Sequence, residues 1–305
     1  MNLQHNPQKL QLPCGNYRKV VPLFLLVVAI LAVSCVGGQK QKKQAVKTVA
    51  LQVPVPPAMM EDSQERAEYV LEHYWQNYKP EIDSVSLEQA FSNWVALTEY
   101  ASRSLAIKSL LAGYDKAPER ILPLAEKYLY DPNSPYRDED YYGALAAHIG
   151  TPEMLAVAKA CSLNAVGTKA ADFVWEDARG RRHNLYEIKA GYTILFFSNP
   201  GCNACKEIID ALMGVEYITS AMESGYLAVV NIYIDEDLDA WREYLPNYPK
   251  MWHTGFDPLF TLRNDSIYHI RAIPSVYLLG PDKTVMLKDA PTNRLIDHLE
   301  PVLPF

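Results

Sequence analysis

The stretch that decides the fold is TILFFSNPGCNAC, residues 193–205. Its apolar part, Ile194–Phe197, is short, rich in β-forming residues and bounded by turn residues, which predicts a buried strand. Residues 199–201 are Asn, Pro and Gly and end that strand. Apolar residues then recur at helical spacing, with Gly214 as a cap: Ile208, Ile209, Leu212 and Met213. The pattern therefore predicts that Cys202 and Cys205 lie on the first turn of a helix that leaves the end of a strand.

Two cysteines in that position favour redox chemistry. Side chains at i and i+3 are neighbours on a helix, so the two sulfur atoms can reach bonding distance. The unpaired N–H groups and the positive dipole end at a helix N-terminus favour thiolate over thiol. Lowering a thiol pKa from about 8.5 to about 7 raises the ionised fraction at neutral pH from a few per cent to about half. Because the thiolate is the species that attacks a disulfide, Cys202 and Cys205 are predicted to form a redox dithiol.

The strand, the CxxC motif and the helix resemble the active site of the thioredoxin superfamily, and in particular the membrane-anchored thiol–disulfide oxidoreductases of bacterial envelopes. The resemblance covers residues 169–305. Two further segments match: the strand 229–234 with its acidic turn, and Ile273-Pro274 before an apolar run. The resemblance implies that Pro274 is a cis-proline that packs against the CxxC motif.

The resemblance and the helix position together assign roles to these residues. Cys202 lies nearer the helix N-terminus and is predicted to be the nucleophile, and Cys205, one turn deeper, resolves the mixed disulfide. Ile273 and Pro274 are expected to shape the substrate groove. The expected partners are protein thiols or disulfides and an unidentified redox partner. No cofactor is expected, because the dithiol itself carries the electrons.

The sequence departs from the thioredoxin pattern at several positions. Phe196 occupies the position of the usual buried acid, and Gly201 replaces the usual Trp before the first cysteine. The residues between the cysteines are Asn203 and Ala204, which match neither the Gly-Pro of reductants nor the Pro-His of strong oxidants. Glu207 is expected to be a solvated carboxylate, although it could supply an acid. The direction of electron flow is left open.

The order of predicted elements defines the fold class. Strands and helices alternate after residue 169, and a hairpin and a closing helix follow, which indicates an α/β thioredoxin-like domain with a mixed central sheet. Amphipathic stripes at helical spacing fill residues 61–168 and predict an all-α domain before it. Cys161 lies on one of these stripes and is expected to be a core residue, with a role as a third redox thiol as the alternative. A polar, basic and proline-containing linker is predicted over residues 36–60.

Residues 1–35 have the features of an export signal. Basic residues precede an uncharged run, Val20–Val33, that is shorter than the ~20 residues a membrane span needs. The run ends in LAVSC, which resembles the lipobox of bacterial lipoproteins and makes Cys35 the expected lipidation site. The alternative is an uncleaved anchor with an incidental cysteine. Either way, the expected location is the bacterial envelope, facing the periplasm.

The charge distribution excludes one class of partner. No acidic residue precedes Glu61, whereas residues 61–305 carry 22 basic against 36 acidic groups, a net charge of −14. A body this acidic is a poor match to a nucleic-acid backbone, so nucleic-acid binding is not expected.

The CxxC motif has three other interpretations. A zinc site needs four ligands, and the chain has no second CxxC and no closely spaced His pair. Thiol peroxidases on a related fold have Thr three residues before the reactive Cys, where this chain has Asn199. The third interpretation is a lipid-anchored, non-enzymatic binding protein in which the cystine is structural. A loop this small constrains the unfolded chain least, which favours a reversible couple over a structural cystine.

Overall fold

The computed structural model of this protein describes residues 49–264 and 267–304. The predicted signal sequence, with Cys35, and the first part of the predicted linker lie outside the described residues. Within the part that is described, no helix is both long and apolar enough to cross a bilayer.

Helices make up the first part of the described chain. They are α1 (Ser63–His73), α2 (Ser84–Leu97), α3 (Arg103–Lys116), α4 (Pro118–Ala125), α5 (Glu139–Ile149) and α6 (Pro152–Cys161). A 3₁₀ turn, Thr98–Tyr100, separates α2 from α3, and a π-helical turn, Glu126–Tyr130, extends α4. Side-chain oxygens of Asp62, Asp83 and Thr151 accept backbone N–H groups at the starts of α1, α2 and α6, which explains where these helices begin.

A mixed sheet with flanking helices follows. Its elements are β1 (Val174–Asp177), β2 (Arg182–Asn184), β3 (Tyr192–Phe197), α7 (Asn203–Met213), α8 (Glu216–Glu223), β4 (Leu227–Tyr233), α9 (Leu238–Tyr244), β5 (His253–Phe256), α10 (Thr261–Asn264), β6 (Ser275–Leu279), β7 (Val285–Lys288) and α11 (Thr292–Leu299). The strand order is β2-β1-β5-β4-β3-β6-β7. Strands β3, β4 and β5 are parallel to one another, and the outer strands pair antiparallel. The predicted fold class, an α/β thioredoxin-like sheet after an all-α region, is confirmed.

Strand β3 is central because both of its faces are buried. Ile194 and Phe196 pack into the core under α7 and α8, whereas Leu195 and Phe197 pack into the core on the opposite face. All four side chains are fully buried. A strand covered on both faces reads as a continuous apolar run rather than an alternating one, which is why the sequence signal at 194–197 is so clear.

One strand was missed from the sequence. Strand β5 extends the parallel part of the sheet beside β4, but its residues, His-Thr-Gly-Phe, form no apolar run. Its strand conformation comes from pairing with β1 and β4 rather than from local preference. Gly255 also lies against the ring of Trp175, which a Cβ at this position would approach to 2.4 Å. The predicted domain boundary at residues 168 and 169 stays a prediction.

The helical region and the sheet contact each other within one compact unit through two reciprocal ion pairs. Arg137, just before α5, pairs with Asp289, which follows β7, at 2.9 Å. Glu139, the first residue of α5, pairs with Lys288, the last residue of β7, at 3.0 Å. The segment before the sheet thus carries a cation and then an anion, Arg137 and Glu139, and the segment at the end of β7 carries their partners, Asp289 and Lys288. The opposite pairing of the two segments would place like charges together.

The Glu139–Lys288 pair is deeply buried. The side chains are 4% and 3% exposed, and the Lys288 ammonium also donates to the carbonyl oxygens of Cys161 and Leu163. Burial raises the pKa of Glu139, and the Lys288 charge offsets part of that effect. The atoms of Glu139, Cys161 and His269 that could bind a metal ion lie within 4.8 Å of one another. The Lys288 ammonium, however, already supplies the positive charge that a metal ion would bring there.

We predict that Lys288→Met lowers the free energy of unfolding by about 3–5 kcal/mol, because it leaves Glu139 buried without its main counter-charge. Adding Glu139→Gln should recover part of that loss, since the uncompensated charge is removed. Urea unfolding of both variants measures this. Lys206→Met is the matched control, since Lys206 forms an exposed ion pair with Asp210. A loss in Lys288→Met no larger than in this control would contradict the prediction.

Candidate redox site

A glycine turn carries the chain from β3 to α7. Gly201 has φ of +72°, a left-handed conformation that residues with a side chain rarely adopt. No atom lies within 4 Å of the position where its Cβ would be, so backbone conformation rather than space requires glycine. The replacement of the usual Trp by Gly201 thus gives the turn before the first cysteine its conformational freedom.

The two cysteines lie where the sequence predicted, at the start of a helix after the central strand. Cys202 is the N-cap of α7, and its Sγ accepts the backbone N–H of Cys205 at 3.1 Å. The residues are joined by a disulfide, with Cα atoms 5.2 Å apart. Cys202 is half-buried, whereas Cys205 is only 2% exposed. The geometry therefore separates one accessible sulfur from one protected sulfur.

We expect this arrangement to stabilise negative charge on Cys202 once the disulfide is reduced. The N–H that its sulfur accepts belongs to the first turn of α7, where the helix dipole is positive. A hydrogen bond to the charged form of a group lowers its pKa, and the dipole acts in the same direction. No comparable backbone donor to the Cys205 sulfur is present among the described residues.

The polar groups beneath the end of β3 are neutral. Phe196 is fully buried and lies 5.9 Å from the ring of Trp252, so the usual acid position is filled by hydrocarbon. Two residues on, the Ser198 hydroxyl donates to Asn231 Oδ1 at 2.6 Å and lies 3.2 Å from the Tyr248 hydroxyl. Burial raises the pKa of Tyr248 further above the ordinary value of a phenol. Sequence analysis missed this trio, because it joins residues far apart in the chain.

The cis-proline segment and the CxxC turn line one groove. The Ile273–Pro274 bond is cis, which is the conformation predicted from the sequence. A groove of about 440 Å³ is lined by both of these residues and by Ala204, which lies between the cysteines.

Glu207 on the first turn of α7 is exposed, as expected of a solvated carboxylate. Cys161 is 1% exposed, and burial raises the pKa of its thiol to about 12, which confirms that it is a core residue.

A CxxC disulfide that begins the helix after a central strand, beside a groove lined by Ala204 and a cis-proline, is the arrangement of a thioredoxin-like site. A solved structure of a thioredoxin-like protein from Bacteroides caccae is 34% identical to this chain and superposes with a TM-score of 0.73. The match covers 82% of this chain and 98% of that one. The chain belongs to the thioredoxin superfamily.

Other comparisons cover parts of the chain. The C-terminal domain of an uncharacterized protein from Bacteroides fragilis is 39% identical, with a TM-score of 0.44, and the match covers 46% of this chain and 99% of that one. A conserved protein of unknown function from Bacteroides fragilis is 35% identical, with a TM-score of 0.43, over 44% of this chain and 98% of that one. Residues 34–166 match a family described as a domain of unknown function (DUF5106). No curated protein matches the chain at a significant level.

We predict that Cys202 is alkylated well before Cys205 in the reduced protein, because Cys205 is buried and the hydrogen bond and dipole favour the Cys202 thiolate. The Cys202 rate should also show an inflection below the ordinary thiol pKa of about 8.5. Timed iodoacetamide labelling followed by mass spectrometry measures both rates. Cys161 is an internal control that should stay unlabelled while the protein is folded. Faster labelling of Cys205 would reverse the assignment.

Proposed function

We propose that this protein is a thiol–disulfide oxidoreductase that exchanges its Cys202–Cys205 couple with cysteines of polypeptide substrates. The observation that carries the proposal is the contrast between a half-buried Cys202 at the N-cap of α7 and a buried Cys205 directly behind it. Disulfide exchange needs one sulfur that a substrate can reach and a second that reacts only within the protein.

In the reducing direction, the Cys202 thiolate attacks one sulfur of a substrate disulfide, and the other substrate sulfur leaves as a thiolate. Cys205, as a thiolate, then attacks the Cys202 sulfur of this mixed disulfide. The second substrate sulfur leaves, and the Cys202–Cys205 disulfide forms. Two electrons have passed to the substrate, and its two thiolates take protons from solvent. Oxidation of a substrate dithiol runs through the same steps in reverse, and the dithiol itself supplies or accepts the electrons.

The cis-proline segment is the substrate platform in this proposal. Within residues 49–264 and 267–304, the backbone N–H and C=O of Ile273 form no hydrogen bond. A free backbone edge of this kind can pair with an extended peptide, which adds to it as a short strand. Since Ile273, Pro274 and Ala204 line the same groove, a chain bound along Ile273 would bring its cysteine to the CxxC turn.

The proposed location is the periplasmic side of the bacterial envelope, with a lipid anchor on Cys35. The basic residues, the uncharged run and the lipobox-like end of residues 1–35 support it. An oxidising compartment is also where a protein disulfide couple persists. The second candidate function is a lipid-anchored binding protein with a structural cystine. It is less well supported, because a bridge between residues three apart closes a very short loop.

We predict that Cys205→Ser accumulates a mixed disulfide with a scrambled, disulfide-containing protein substrate, because Cys202 still attacks the substrate disulfide and no second thiol resolves the adduct. Cys202→Ser should form no such adduct and should lose turnover in an insulin-reduction assay. Non-reducing gels and mass spectrometry detect the adduct. Cys161→Ala is the control and should turn over like the unsubstituted protein, because that thiol is buried in the helical core. Equal trapping by both cysteine variants would favour the structural-cystine alternative.

We also predict that the mature protein partitions into detergent and begins at an acylated Cys35. A lipoprotein carries several acyl chains, which together anchor it far more firmly than a single chain does. Detergent phase separation and mass spectrometry of the N-terminal peptide measure this, and Cys35→Ala should abolish both the partitioning and the modification. A water-soluble mature form that begins elsewhere in residues 36–60 would contradict the anchor.

A further inference from the structure

A loop of the helical region reaches the redox groove. Residues 131–138, which we call the 131–138 loop, connect the π-helical turn to α5. The loop has a defined shape: Asp138 donates its N–H to Leu129 O at 2.9 Å, and the Ser134 hydroxyl donates to Tyr128 O at 2.6 Å. The Asn133 N–H is held by Asp131 Oδ1 at 2.8 Å. These contacts fix the loop to the helical region at both ends.

Arg137 attaches this loop to the cis-proline segment. Its guanidinium donates to Pro132 O at 2.7 Å within the loop and to Pro274 O at 3.1 Å in the cis-proline segment. The same group forms the ion pair with Asp289, whose carboxylate accepts the N–H of Val276 at 3.1 Å. The Arg137 and Asp289 side chains are only 16% and 8% exposed. One planar cation therefore holds the loop, the proline carbonyl and the start of β6 in a single arrangement.

The hydrogen bond from Arg137 to the Pro274 carbonyl leaves the backbone groups of the neighbouring Ile273 open. The Pro274 carbonyl is occupied by Arg137, whereas the backbone groups of Ile273 have no partner in the described chain. The groove beside Ile273 then has two walls. One wall is the CxxC turn and α7, through Ala204 and Ile208, and the other is the 131–138 loop, through Pro132, Asn133 and Pro135.

We propose that the 131–138 loop is the specificity wall of the redox groove and that the groove selects an extended polypeptide segment with an apolar side chain next to its cysteine. This inference rests on the proposed function and extends it to the substrate. The prolines of the loop and the side chains of Ala204, Ile208 and Ile273 present hydrocarbon to the groove from both sides. Binding along Ile273 places alternate side chains of the segment against these walls. Arg137 is a positioning residue that holds the wall in place.

The test uses three short peptides whose single cysteine carries a thiopyridine group as a mixed disulfide. They differ only in the residue before the cysteine, which is Leu, Glu or Lys. The Cys202 thiolate of the pre-reduced protein displaces pyridine-2-thione, whose absorbance reports the rate, and forms a mixed disulfide with the peptide. Each reaction is a single turnover with excess peptide, so KM is the peptide concentration that gives half of the limiting rate, and kcat is that limiting rate. Dithiodipyridine, a small disulfide that needs no groove, reports the reactivity of the couple itself. The Leu peptide should show the lowest KM with the unsubstituted protein.

Charge substitutions in the loop then test the wall directly. Asn133 is exposed, so Asn133→Glu and Asn133→Lys should fold. Asn133→Glu should raise KM for the Glu peptide and lower it for the Lys peptide, each about threefold, the size expected of an exposed charge pair. Asn133→Lys should do the opposite. Tyr136 belongs to the same loop but does not line the redox groove; it is 52% exposed and lines a different groove, beside Glu99 and Arg294. Tyr136→Glu and Tyr136→Lys are therefore the matched controls and should leave all three KM values unchanged.

Arg137→Lys keeps the charge opposite Asp289 but loses the planar fork. It should raise KM for all three peptides together, while kcat and the rate with dithiodipyridine stay unchanged. A merely structural role would instead lower the rate with every substrate.

Charge effects that are absent at position 133, or equal at positions 133 and 136, would overturn the specificity wall. A Leu peptide that binds no better than the charged peptides would overturn the apolar preference. Failure of the proposed function would give a different result. The peptide would stay bound to Cys202 as a mixed disulfide and would not be released by Cys205, whatever residue occupies position 133.

Discussion

The whole site depends on how the chain leaves the central strand. Strand β3 is buried on both faces, so its end is fixed by packing from two cores. The left-handed Gly201 turns the chain into α7, and Cys202 becomes the residue that caps the helix. Cys205 follows one turn later and is buried against the core. The difference in exposure between the two sulfurs is therefore a consequence of strand burial and helix capping.

The helical region is attached to the sheet next to this site. Arg137 and Glu139 on one side meet Asp289 and Lys288 on the other, and both pairs are largely buried. Buried pairs contribute less to net stability than their contacts suggest, but they penalise any arrangement that separates the charges. Here that penalty fixes the position of the 131–138 loop beside Pro274. An all-α region with no recognisable chemistry of its own thereby lines the groove that we propose binds the substrate.

Local signals were enough to predict much of this molecule. The apolar run 194–197 and the amphipathic stripes of residues 61–168 each carry their structural reason within a few residues. The cis conformation at Ile273-Pro274 was implied by the resemblance to the thioredoxin superfamily. Strand β5 does not, because its conformation is imposed by its neighbours. The Ser198, Asn231 and Tyr248 trio and the Arg137–Asp289 pair could not be predicted either, since their partners are brought together only by the tertiary fold. Gly201 departs from the family pattern, and its positive φ is the physical reason for a glycine at this position.

The central claim is that Cys202 and Cys205 form a working redox couple rather than a structural cystine. Equilibrating the folded protein with glutathione or dithiothreitol mixtures of known potential, and quantifying its free thiols, measures the reduction potential of the pair. We predict one reversible two-electron transition at a potential above about −300 mV, where catalytic and labile disulfides lie. A potential well below about −300 mV, typical of structural disulfides, would contradict it.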